Sequence, residues 1–191
     1  MTTARLEAFS DAVIAIVITI MVLELRIPHE ADLDALRDVA PDVLVYVLSF
    51  VYLAIYWNNH HHLMFLTDRI NGKILWANIH LLFWLSIIPF TTGWMGENDF
   101  AELPTTVYGI GLLLAAIAYF VLQTAIISAQ GPGSRLANAL GRDLKGKVSP
   151  LLYIAGISFA YLNRWIAIGF YVVVALMWLI PDRRIESIVS E

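Results

Sequence analysis

Hydrophobic residues gather along this chain in six runs, at about 6–27, 42–66, 74–95, 105–129, 149–162 and 165–180. The first four are long enough for membrane-spanning helices, which need about 20 apolar residues each. The last two hold about 14 to 16 residues and are joined only by Asn163 and Arg164, which predicts a thin hairpin of spans or a re-entrant pair. Six of the seven prolines (Pro28, Pro41, Pro104, Pro132, Pro150, Pro181) stand at the edges of runs, where a missing N–H costs least. Pro89 lies inside the third run and predicts a kink there. The expected fold is all-α: a polytopic membrane protein with six transmembrane helices per subunit, one domain over residues 1–191. Arg5, Glu7 and Asp11 break the start of the first run, and no small-residue cleavage site follows it. It reads as a span and not as a signal peptide.

Composition strengthens this picture. The chain is 59% hydrophobic and 15% charged, whereas soluble domains are roughly half apolar and a quarter charged. Cysteine is absent, which excludes disulfides, thiolate chemistry and Cys-based metal sites. The charges also divide by side. Arg5, Arg69, Lys73, Arg135, Arg142, Lys145, Lys147, Arg183 and Arg184 fall in one set of loops, leaving Arg26, Arg37 and Arg164 in the other. The positive-inside rule then makes both termini cytoplasmic, as expected for a multi-pass protein of the cell's inner (plasma) membrane. The opposite side carries nine acids: Glu24, Glu30, Asp32, Asp34, Asp38, Asp42, Glu97, Asp99 and Glu102. An acidic mouth concentrates cations; equally, acidic loops keep an outer face soluble. Leu136, Leu140 and Leu144, spaced by four among basic residues, fit a short helix on the cytoplasmic membrane surface, weakened by Gly141.

Two polar clusters stand at the cytoplasmic ends of spans. In the first helix Arg5, Phe9 and Ala12 share a face, with Ser10 and Asp11 to its side, able to reach neighbouring helices. An aspartate facing lipid near the bilayer centre costs about 2.5–3.5 kcal/mol, so Asp11 is expected to have a partner, the alternative being a snorkelling interfacial end. The second helix ends WNNHHHLMF (57–65). His60, His61 and His62 fan around most of a helix and cannot all ligate one metal; no H-E-x-x-H spacing accompanies them. One of the three is expected to face Asp11 or Ser10. Trp76 and Asn78 lie nearby in the third helix, where His80 reads as a satisfied buried histidine. No nucleophile–base triad, phosphate loop, nucleic-acid motif or redox motif is present, so neither enzyme chemistry nor a cofactor is indicated.

Further along the first helix, Ile16, Thr19 and Leu23 fall at i, i+3 and i+7, in register with Phe9. In a packed monomer this stripe is core, and Thr19 bonds its own i−4 carbonyl.

Arg5, Phe9, Ser10 and Asp11 together spell R-x-x-x-F-S-D at the head of a first spanning helix. The chain thereby resembles the prokaryotic homologues of the endosomal/lysosomal potassium channel family. The His-rich end of the second helix and the closing PDRRIE (181–186) are similar too, though weaker signals. The resemblance implies a channel without the TVGYG loop of other potassium channels, its pore lined by the first helix of each repeat. Eukaryotic members carry two six-helix repeats and dimerise; with one repeat, this chain would form a homotetramer. The family's pore-lining positions correspond to Ile16, Thr19 and Leu23. Four isoleucines can gate by dewetting, and four threonine hydroxyls can partly replace the hydration shell of a permeant K⁺. The polar residues Arg5, Ser10, Asp11, His60–His62, Trp76 and Asn78 are then expected to fasten the first helix to its neighbours. From another class, a proton-linked secondary carrier would use Asp11 and His60–His62 as shuttles, although no broken mid-membrane helices support it. A membrane enzyme or scaffold without conduction is the third reading.

Overall fold

A computed structural model describes residues 2–140 and 143–179, except for the side chain of Leu140. Pro181, Arg142 and PDRRIE therefore lie outside the described residues. The regular elements are helices throughout: α1 (Thr3–Leu23), α2 (Leu33–Asp38), α3 (Ala40–Phe65), α4 (Gly72–Glu97), α5 (Glu102–Gln130), α6 (Arg135–Leu140), α7 (Leu144–Phe159) and α8 (Arg164–Leu179). Among the described residues, α1, α3, α4 and α5 are long and apolar enough to cross a membrane. α7 and α8 have 16 residues each, about 24 Å at 1.5 Å per residue, against a hydrocarbon core of about 30 Å.

Capping explains where several boundaries depart from the apolar runs. The Asp143 carboxylate accepts the Gly146 N–H at 3.0 Å and opens α7 at Leu144, ahead of the run that begins at 149. Pro150, expected at an edge, consequently lies inside α7. The turn between α7 and α8 is longer than Asn163 and Arg164: α7 stops at Phe159, and Asn163 Oδ1 accepts the Trp165 N–H at 2.9 Å as α8 begins. α2, which the hydrophobic pattern does not announce, is capped by Asp32 through the Ala35 N–H at 2.8 Å. α6 supplies the short helix expected between 130 and 147. Its Leu136, however, is 1% exposed and packs into the core instead of lying on a membrane surface.

α4 is central, packing against α1, α3 and α5, while the α7–α8 hairpin closes on α5 and α3. α4 continues through Pro89, whose missing N–H leaves the Leu85 carbonyl without its helical partner. In lipid, helix association relies on close approach and interhelical hydrogen bonds, and both are present. A Cβ added at Gly109 or Gly156 would collide with the Tyr171 ring, so the two glycines make the socket that seats it. Thr92 of α4 donates to Ser49 of α3 at 2.7 Å, and Ser49 meets the Tyr108 hydroxyl of α5 at 3.0 Å.

Candidate pore helix and its polar anchor

α1 has one face buried and one free. Leu6, Ser10, Ile14, Val17 and Met21 recur at helical spacing and pack against α3 and α4. Phe9, Ile16, Thr19 and Leu23 lie on the other side, with Ile16 56% and Leu23 79% exposed. Within a single chain the stripe is therefore not core. Thr19 donates to the Ile16 carbonyl at 2.9 Å, three residues back, whereas the i−4 carbonyl was expected.

Near its N-terminal end, α1 is held by a buried polar chain. The Ser10 hydroxyl donates to the Leu6 carbonyl at 2.9 Å and accepts from Asn78 Nδ2 at 2.9 Å. That donation leaves Asn78 Oδ1 as an acceptor, so His60 Nε2, 2.7 Å away, carries the proton and donates. Ser10, Asn78 and His60 are all fully buried. His60 Nδ1 has no hydrogen-bond partner. A neutral Nε2–H imidazole leaves a bare lone pair there, the less costly orphan compared with a buried N–H of a charged ring.

A second layer sits at the rim. Trp57 Nε1 donates to Asp11 Oδ1 at 3.1 Å, and His61 Nδ1 meets Glu7 Oε1 at 2.8 Å. The Trp57 and His61 rings stack with centroids 6.4 Å apart. Asp11 thus has a partner, but it is an indole and not a histidine; the histidine chain reaches Ser10, through Asn78. His62 lies beside His61, ring centroids 5.9 Å apart. The other expected members stand apart. Arg5 and Phe9 are exposed, and Trp76 is 72% exposed on the outer side of α4. Among the described residues none of the three hydrogen-bonds to this network. His80 is also exposed, accepting from Trp84 Nε1 at 2.9 Å, which overturns its reading as a buried histidine. Glu7 and Trp57 were missed. Their signal was available in the i, i+4 pairs Glu7/Asp11 and Trp57/His61, each presenting two polar groups on one face.

The far end of α1 is held as well. Arg26 Nε meets Asp42 Oδ2 at 2.6 Å, with Asp42 buried in the first turn of α3. The hydrogen bond that Arg26 donates to Asp42 raises the Arg26 pKa above its ordinary value. Asp42 Oδ1 is buried without a partner beside Gly96, where a Cβ would approach it to 2.6 Å. Among the described residues, no three His, Asp or Glu side chains are grouped to hold a metal.

Residues 5–89, which hold α2, α3 and most of α1 and α4, match the sequence model of the endosomal/lysosomal potassium channel TMEM175 family. A potassium channel of Chryseobacterium sp. (strain P1-3) is 51% identical over 191 residues, the full length of both chains. The chain belongs to the TMEM175 family. A potassium channel of Chamaesiphon minutus is 28% identical over 188 residues, covering 91% of this chain and 92% of that one. The crystal structure of a lysosomal potassium-selective channel TMEM175 homolog from that organism superposes with a TM-score of 0.84 at 26% identity. It covers 94% of this chain and 97% of that chain. The human TMEM175, named an endosomal/lysosomal proton channel, is 25% identical over 128 residues, covering 64% of this chain and 25% of that protein.

Proposed function

We propose that this protein is a potassium-preferring cation channel of the plasma membrane, built as a homotetramer of six-span subunits around α1. The reading rests on one observation above all. The helix that opens with R-x-x-x-F-S-D buries one face against its own subunit and leaves Phe9, Ile16, Thr19 and Leu23 uncovered. A symmetric ring of four subunits would bring those free faces to a common axis. Ile16 is then the apolar constriction, Thr19 a hydroxyl ring one turn outward, and Leu23 the outer lip. The bacterial relatives are named potassium channels, which are not enzymes. α7 and α8 complete the six spans as a short hairpin, and the termini face the cytoplasm. The permeant ion is K⁺, with no resident cofactor.

Planar-bilayer current from purified protein, with K⁺ on one side and Na⁺ on the other, tests this. A reversal potential that follows the K⁺ gradient supports the channel. Saturating flux with a fixed stoichiometry to protons would favour the carrier reading instead. A second reading, proton conduction, draws on the names of the vertebrate relatives. A pH gradient across the same bilayer at symmetric K⁺ separates the two, because only a proton-permeable pore shifts its reversal potential.

A further inference from the structure

A cavity of about 50 Å³ lies between α3, α5, α7 and α8, and no residue of α1 lines it. Aromatic and polar side chains share its walls. Tyr56 and Tyr119 meet edge to face, their centroids 6.1 Å apart, and Tyr153 and Trp178 add two more aromatic surfaces. Asp143 is the one charged side chain among the lining residues. Its carboxylate accepts the Gly146 N–H at 3.0 Å and faces Gln123 Nε2 at 3.4 Å, both neutral donors. Among the described residues no cation pairs with it. Lys145 Nζ is turned to Trp178 instead, 5.9 Å from the ring centroid. Tyr56, a buried side chain, is among the residues that line this space.

Aromatic faces attract cations through their quadrupole, and rings gathered around one carboxylate favour a cation with an apolar skin. Side-chain oxygens also stand on these walls, on Asn59, Gln123, Ser149 and the tyrosines, so KCl is the comparison that separates an alkali ion from an ammonium. At about 10–15 Å³ for each water, the space takes about four waters, comparable to a tetramethylammonium ion. We propose that this cavity is a binding site for a small organic ammonium ion, seated on Tyr56, Tyr119 and Tyr153 and neutralised by Asp143. The occupant ties the α7–α8 hairpin to α3 and α5. Its action on current is therefore independent of voltage, unlike that of an ion lodged in a pore on the α1 axis.

Thermal unfolding of the purified protein in a non-ionic detergent tests the site. Tetramethylammonium chloride should raise the unfolding midpoint. Neither KCl nor tert-butanol, a neutral molecule of similar shape, should do so at equal concentration. Asp143→Asn keeps an N-capping oxygen and tolerates the left-handed backbone at this position (φ 37°). It should therefore fold and weaken binding about tenfold or more. Tyr119→Leu should weaken binding too, while Tyr119→Phe should retain it, so the outcome does not depend on one variant folding. An equal shift from tert-butanol would overturn the proposal by showing an apolar hole, and an equal shift from KCl would show an alkali-ion or salt effect. Unchanged affinity in both Asp143→Asn and Tyr119→Leu would place the ammonium elsewhere and overturn it as well.

Discussion

His60 Nε2 and Asn78 Oδ1 lie 2.7 Å apart where neither side chain has any solvent contact, and the Asn78 amide hands the contact on to Ser10 of α1. Three helices meet in that chain of bonds. Asn78→Leu removes both of its links at once and leaves the His60 N–H and a Ser10 lone pair buried and unpaired. An orphaned buried polar group costs about 1–3 kcal/mol. The unfolding midpoint in detergent should fall by several degrees, and Ser10→Ala, which strands only the Asn78 donor, should fall less. Asn78→Leu with an unchanged midpoint would show that the chain of bonds does not hold α1.

Asp11 gives a contrast within the same motif. Its partner Trp57 is at the rim, where water can replace the lost acceptor. Asp11→Ala should cost no more than about 1 kcal/mol, leaving assembly near normal. If current measured in Asp11→Ala bilayers instead loses ion preference while the midpoint holds, the residue acts on the ion path.

The two faces of α1 predict opposite phenotypes. Ile16→Asn should raise current and weaken discrimination against Na⁺ by wetting the proposed constriction. Thr19→Val should lower K⁺ preference with the midpoint unchanged. Met21→Asn, on the buried face, should destabilise by about 2–5 kcal/mol through a lost apolar contact and an unpaired amide. Reversal potentials and midpoints measured on the same preparations make the comparison. A selectivity change in Met21→Asn with none in Ile16→Asn or Thr19→Val would invert the assignment of faces.

At the opposite end, Gly96 and Gly93 separate close approach from open space. An alanine Cβ at Gly96 would come within 2.6 Å of Asp42 Oδ1 and 2.9 Å of Asp42 Cα, whereas at Gly93 the nearest neighbour is Glu24 Cβ at 3.8 Å. Gly96→Ala should destabilise by about 1–3 kcal/mol and displace the Arg26 contact; Gly93→Ala should be near neutral. Equal effects from the two would mean that the Asp42 fit is not constraining. Arg26 is charged across the working pH range as any guanidinium is, and Asp42 raises its pKa further, so the arginine itself adds no pH response to this contact.

Much of the scaffold was legible because lipid exposure forces long apolar runs, and the four long helices follow them to within a few residues. The R-x-x-x-F-S-D head was legible as a family motif, and helical period put Ile16, Thr19 and Leu23 on one face, although period alone read that face as core and the single chain leaves it uncovered. Partner identity was not legible. Nothing in the local sequence says that Ser10 meets Asn78, since register between helices is set by packing of the whole bundle. Trp57 was overlooked because an indole at a membrane interface needs no special explanation. Pro150 misled because proline usually marks a boundary; here the Asp143 cap starts the helix early enough to carry the proline into its second turn. His80 misled through its apolar neighbours, which face lipid or another subunit more readily than a core in a membrane protein.

Fastening α1 at Ser10, and the chain just beyond its last turn at Arg26, makes it a beam held near both ends. Such a beam resists swinging about either support and yields most easily at mid-span. Ile16 and Thr19 occupy that compliant stretch, between the two clamps and without a hydrogen bond to any other helix. A small lateral load from the bilayer is therefore felt first at Ile16 and Thr19.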